Sequence, residues 1–334
     1  MADDYSRLIE LVSYRDVIDS ARPTVLGIDL SWHHCFPASS TAPWQLDAVL
    51  QALTAGGIPQ ETITAFTSET DGISTKFGGI LNRHGIVLER HGVRAFVDVD
   101  SDAWTIVKPE IACARLNNSF PDGIRIPRIL AESNLVLLPT MKTHVSSVLA
   151  GSLYTSFGVL LGRGRRRCLS GADEIMADAL AVLKDIGSGV LAVMDGTIAG
   201  EGPGPCRLVP HVKNVIAAST DPVALDAAAA RLMGFDPMAV PAIRMAHERG
   251  LGTGDVREIE MVGDDVSGED FGFGTAASWP DRLLWKLETN TVFPFTHRLP
   301  LIYNDFFWYM AVGEKRISRI MKSGWGKLFE TYRK

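Results

Sequence analysis

Cysteine is scarce and scattered. Cys35, Cys113, Cys168 and Cys206 form no CxxC pair, so neither a zinc ribbon nor a cluster held by closely spaced thiolates is signalled. Lone thiols of this kind fit a reducing compartment. No stretch approaches ~18 uninterrupted apolar residues, which argues against a membrane-spanning helix. The start of the chain, MADDYSRLIELVSYRD, is acidic and has no long apolar run, unlike a secretory signal; a cytoplasmic location is the expectation. An excess of positive charge is also missing. The formal net charge is −6, which gives no general reason to expect nucleic-acid binding. Four catalytic signatures are missing as well: Walker A, a GxGxxG after a strand, HExxH and GxSxG. P-loop, dinucleotide-binding, zincin and α/β-hydrolase mechanisms lose support accordingly.

What is present is an ordinary globular composition, 46% hydrophobic and 22% charged over 334 residues. That length holds one large α/β domain or two smaller ones. The chain turns around residues 190–234. An apolar strand, Val190–Met194, ends on Asp195; a Gly/Pro-rich loop carries Glu201, Gly202 and Gly204; a second strand runs over Asn214–Ser219; and Asp221-Pro222 opens a helix bearing Asp226. Carboxylates at the carboxyl ends of apolar strands are where open α/β sheets place ligand sites.

Upstream, the pattern predicts a helical lead-in over 6–20, strands at 24–30, 63–66, 93–99, 105–107 and 135–138, and helices at 44–54, 76–84 and 145–161. Downstream it predicts helices at 172–186, 222–233 and 241–249 and a last strand at 259–262. Alternating short apolar strands and helices imply an α/β fold with a doubly wound, largely parallel sheet. Residues 1–263 form that domain. The remainder, 264–334, is an extension with four of the seven tryptophans, the aromatic run Asp305–Tyr309, and seven basic against two acidic side chains from Gly313 onward. Such a segment packs on the body or on a partner with its basic face in water, or lies on an anionic membrane surface.

Three ordered motifs stand out. Pro139-Thr140-Met141-Lys142-Thr143-His144 follows an apolar strand and leads to Phe157-Gly158; Asp195-Gly196 leads to Glu201-Gly202-Pro203-Gly204-Pro205; and Asp221-Pro222-Val223-Ala224-Leu225-Asp226 leads to Leu232-Met233-Gly234. Together they resemble the domain-of-unknown-function family numbered 362, whose members are often labelled iron–sulfur centre proteins. The likeness is good over 135–263 and loose over 24–66. The Cys-rich ferredoxin-like segment of many relatives has no counterpart here, so no Cys-ligated iron–sulfur cluster is expected. Tyr154-Thr155 stands where relatives commonly have Lys-Asn.

The residue set points to chemistry without naming a reaction. Lys142 and His144, two apart beyond a strand end, suit an anion anchor and an acid/base or metal ligand. Asp195 and Glu201 suit a divalent cation or divided acid and base roles. Asp221 reads as an N-cap, and Asp226, among alanines, needs a partner. Arg163, in the basic run 163–167, suits a phosphate or other polyanion, with Asp221, Asp226, Gly202 and Gly204 as further substrate contacts. His33 and His34 are weaker metal candidates for want of a third ligand.

The expectation is an enzyme acting on a small carboxylate or phosphate compound by proton transfer or metal-assisted isomerase- or lyase-type chemistry. The alternatives are a redox protein with a borrowed metal or iron–sulfur centre, and a non-catalytic ligand-binding or membrane-docking protein. Expected partners are a small anionic molecule, a second copy of the chain and, through 279–334, a membrane surface; nucleic acid is not expected.

Overall fold

The computed structural model describes residues 1–67, 73–96, 103–109, 113–162, 168, 171–275, 278–289, 296 and 298–333. The chain opens with helix α1 (Ala2–Leu11) and strand β1 (Thr24–Ile28). Helix α2 (Pro43–Ala55), strand β2 (Ile63–Phe66), helices α3 (Thr75–Leu81) and α4 (His84–Arg90) and strand β3 (Arg94–Phe96) follow. A separate antiparallel pair, β4 (Trp104–Val107) with β5 (Ile124–Pro127), flanks helix α5 (Ala114–Ser119). Then come β6 (Asn134–Leu138), β7 (Thr140–His144), β8 (Val148–Leu149), α6 (Ser152–Leu161), α7 (Ala172–Ile186), β9 (Gly189–Glu201), β10 (Val209–Ser219), α8 (Pro222–Met233) and α9 (Pro241–Glu248).

The main sheet runs β3-β2-β1-β6-β9, all parallel, and β10 closes the far side of β9 antiparallel. The α/β reading and the largely parallel sheet hold. Successive residues of the central strands face opposite sides, as a pleated strand requires. In β6, Leu135 and Leu137 enter the core built with α6 to α9, while Val136 and Leu138 enter the core built with α1, α2 and α4. Helices therefore cover both faces, which is why these strands are apolar throughout.

Several boundaries differ from the sequence expectation. β9 does not stop at Asp195; it continues through Asp195-Gly196 to Glu201, because β10 pairs with its whole second half. Residues 140–144, expected as a loop, form β7. Pro139 has no N–H to give to a ladder, yet its carbonyl accepts from Asp195 N at 3.1 Å, and β7 continues beside β9 in the register that β6 began until a bulge between Thr140 and Lys142. The helix expected at 76–84 is two helices, since Arg83 takes a left-handed conformation (φ 65°). The 145–161 helix begins only at Ser152, and 259–262 is irregular rather than a strand. The lead-in helix ends at Leu11, before a short turn of 3₁₀ helix at Tyr14–Asp16. The expected strand 93–99 is β3 as far as Phe96, and 97–99 lie outside the described residues.

The C-terminal extension forms α10 (Trp279–Glu288), α11 (Arg298–Ile302), an unusually wide π-helical stretch Tyr303–Gly313, α12 (Glu314–Met321) and α13 (Gly324–Thr331). One side packs on the body. Trp325 lies 5.1 Å from the Trp44 ring and donates to Asn214 Oδ1 at 2.8 Å. Tyr332 donates to Asp47, and Arg207 reaches Asp281 and Asn304. Among the described residues no helix is long and apolar enough to cross a membrane.

Candidate functional site

Strand order reverses between β1 and β6, and the crevice beyond their carboxyl ends is the switch point at which such sheets bind ligands. Asp29 follows β1 directly. Its backbone N–H donates to Thr41 Oγ1 at 2.9 Å, the Thr41 hydroxyl donates to Leu138 O at 2.6 Å, and Ser31 Oγ donates to Asp29 Oδ1 at 2.7 Å. From β7, Lys142 brings its ammonium to Asp29 Oδ2 and donates to Ser39 O at 2.8 Å. Both side chains are sealed from water, Lys142 completely. His84 Nε2 lies 2.7 Å from Thr41 O, and burial pulls its imidazole below the ordinary value. Lys142, read as an anchor for a substrate anion, thus meets an internal carboxylate. Asp29 was missed, although the strand-end rule applied to Asp195 applies equally to the aspartate closing TVLGID.

The other predicted residues are distributed rather than gathered. Buried His144 accepts at Nδ1 from the N–H groups of Ser147 (3.2 Å) and Ser146 (3.4 Å), with the rings of Tyr154 and Trp285 about it. Asp195 accepts from the Tyr5 hydroxyl (2.6 Å), Trp44 Nε1 (2.8 Å) and both the N–H and hydroxyl of Thr197. Burial raises its carboxyl above the usual range, and these hydrogen bonds oppose the rise. Glu201 pairs with His211 Nε2 at 2.9 Å across the β9–β10 hairpin and accepts from Gly274 N. Asp195 is enclosed by Tyr5, Trp44 and Thr197 while Glu201 is engaged by His211 and Gly274, so each carboxylate has its own partners rather than sharing one cation. Gly202 and Gly204 fasten their loop to β7. Thr143 donates to Gly202 O at 2.7 Å, and a Cβ at Gly204 would meet Thr143 O at 2.1 Å.

Asp221 is the N-cap of α8, accepting from Val223 N and Ala224 N, and its second oxygen accepts from Thr253 N. Asp226 finds its partner in a helix end. Its two oxygens accept from Ser152 N (2.6 Å) and Leu153 N (2.9 Å), the first amides of α6, where the helix dipole favours an anion. Burial pushes this carboxyl up to about 6 despite those bonds. Arg163 lies outside the described residues. His33 and His34 acquire a neighbour that no local pattern announced, Asp305 of the C-terminal extension.

A narrow cleft opens beside the switch point. One wall is the loop before α2 with Thr140 and Asp195. The opposite wall is the C-terminal extension, through Ile320, Trp325 and Phe329. Its lining is chiefly aromatic and aliphatic, with Ser40, Thr41, Asn82, Thr140 and Asp195 as polar points.

The model of the family described as "Domain of unknown function (DUF362)" matches residues 28–231, well over half of the chain. The chain belongs to this family. The DUF362 match runs from the last residue of β1 into α8, contains Asp29, Lys142 and Asp195, and stops before the C-terminal extension. A curated relative, a thylakoid-associated protein of Synechocystis sp., is 26% identical over 144 residues, which is 40% of this chain and 43% of the relative. This DUF362 chain thus spans less than half of that relative's length. A crystal structure of a Thermotoga maritima protein covers 74% of the chain at 11% identity, with 58% of that protein covered and a TM-score of 0.37.

Proposed function

We propose that the chain is a peripheral membrane protein that docks on anionic lipid through its C-terminal extension and takes an organic ligand into the cleft beneath it. The observation that carries this reading is a stripe of large apolar side chains left in water. Ile302 and Tyr303, Phe306 and Phe307, and Met310 recur at intervals of four along the wide helical stretch, and Phe306, Phe307 and Met310 are each more than 60% exposed. The intervening Asn304 and Trp308 are buried against the body. Contiguous apolar surface of this kind marks an interaction face.

Charge selects the partner. Among the described residues from Trp279 to Lys322, Arg282, Lys286, Arg298, Lys315, Arg319 and Lys322 are exposed, whereas the exposed acidic residue there is Glu314. A basic, aromatic face on a chain whose net charge is −6 is complementary to anionic headgroups, at about 1 kcal/mol for each basic side chain near the surface. The Synechocystis relative is named for its association with the thylakoid, in agreement with this reading. The mainly apolar lining of the cleft suits a ligand with a substantial hydrophobic part.

Co-sedimentation of the full chain with vesicles tests the proposal. Binding to vesicles containing phosphatidylglycerol, weakened by salt and much reduced with phosphatidylcholine alone, is expected. Equal recovery with both compositions, or with neither, contradicts it.

A second reading, an enzyme acting on a small carboxylate or phosphate compound by proton transfer, is favoured by the Lys142–Asp29 pair at the switch point. Native mass spectrometry of the purified chain tests it. An anion that copurifies with the wild type and is absent from Lys142→Met supports the reading, and ligand-free spectra of both count against it.

A further inference from the structure

We propose that His33, His34 and Asp305 form a divalent transition-metal site that clasps the C-terminal extension to the loop following β1. The two histidines are adjacent in the loop after Ser31, and the carboxylate comes from the helical stretch some 270 residues later. Their candidate ligand atoms all lie within 4.8 Å of one another. His33 Nε2 is 3.7 Å from Asp305 Oδ2, and His34 Nε2 is 3.7 Å from Oδ1.

These separations carry the argument. At 3.7 Å neither imidazole makes a hydrogen bond to the carboxylate, and His34 Nε2 is buried with no hydrogen-bond partner among the described residues. A nitrogen so placed is normally satisfied. Two ligands bound tetrahedrally to one ion at ~2.1 Å each stand ~3.4 Å apart, close to the spacing found. The surroundings hold the ligands as outer partners of a metal site do. Asp305 Oδ1 accepts from Trp32 Nε1 at 2.7 Å. The His34 ring stacks on Tyr309 at 3.9 Å and meets Trp32 edge-on at 5.0 Å. The site is about one-fifth exposed at each ligand, leaving a path for an ion and for water at remaining positions.

Two imidazoles and one carboxylate select zinc, cobalt, nickel or ferrous iron over magnesium or calcium, which prefer all-oxygen shells. The clasp does not depend on membrane docking, because its ligands lie on the side of the extension that faces the body.

Titration of the tag-free full chain with Co²⁺, followed by its visible absorption, reads the site directly. One equivalent with ligand-field bands is expected. Asp305→Asn, which keeps an oxygen for Trp32 Nε1, should weaken binding at least tenfold, as should His33→Ala. His211→Ala, at a histidine paired with Glu201 and outside the proposed ligand set, should leave it unchanged. Added Zn²⁺ should raise the melting temperature of the wild type and leave that of Asp305→Asn unaltered, since an ion bound to the folded state stabilises it. No stoichiometric binding, or equal affinity in the wild type and in His33→Ala/His34→Ala, overturns the proposal.

Discussion

Lys142 reaches across 113 residues of sequence to place its ammonium against Asp29, with both groups withdrawn from water, one from the middle of β7 and the other just past the end of β1. Taking either charge away leaves the other buried and unpaired, a loss of about 3–5 kcal/mol. Lys142→Met and Asp29→Asn should each lower stability by that order in urea unfolding. The double variant should lose less than the sum by at least ~1 kcal/mol. Strict additivity would mean that the pair is not coupled.

Asp226 gives the fold a signed pH dependence. Its carboxyl titrates at about 6 in the folded chain, against ~3.9 in an unfolded one. The folded state therefore holds a proton between about pH 4 and 6 that the unfolded state has released. This group's contribution then rises as pH falls through 6 and is complete near 4, and above 6 its buried charge costs about 3 kcal/mol. Subtracting the pH profile of Asp226→Asn from that of the wild type should isolate this slope. A difference that is flat between pH 4 and 7 contradicts the assignment.

Gly151 makes the Asp226 cap achievable. A Cβ there would sit 2.3 Å from Asp226 Oδ1 and 2.9 Å from Oδ2, so Gly151→Ala must push the carboxylate off the α6 amides. The expected loss is about 1–3 kcal/mol, visible as a lower melting temperature. Gly79→Ala, where nothing lies within 4 Å, should show no such loss.

The parts of this molecule that were legible are those whose signal is local. Apolar runs marked β1 and β6, helical spacing gave α7 with the observed ends, and Asp221-Pro222 announced a capped α8. Asp226 was legible as a group in need of a partner, though not which partner, because the α6 amides lie more than 70 residues away. Asp195-Gly196 reads locally as a turn, yet the β10 ladder keeps it in a strand. Residues 140–144 look too polar for a buried strand until Asp29 neutralises Lys142. The same distance hid Asp305, which is separated from Trp32 by 273 residues and joined to it by a hydrogen bond. Strand-end carboxylates were the usable signal, and that rule reached Asp195 without reaching Asp29.

The exposed stripe is the centre of the functional account, and Phe306→Asp/Phe307→Asp is the direct test. Both rings point into water, so the substitutions leave the body's packing intact and stability should change little. Fully burying each ring contributes about 1.5–3 kcal/mol. Recovery of this variant with phosphatidylglycerol-containing vesicles should fall at least tenfold, with an unchanged circular dichroism spectrum. Undiminished vesicle binding by a folded variant would contradict docking through this face.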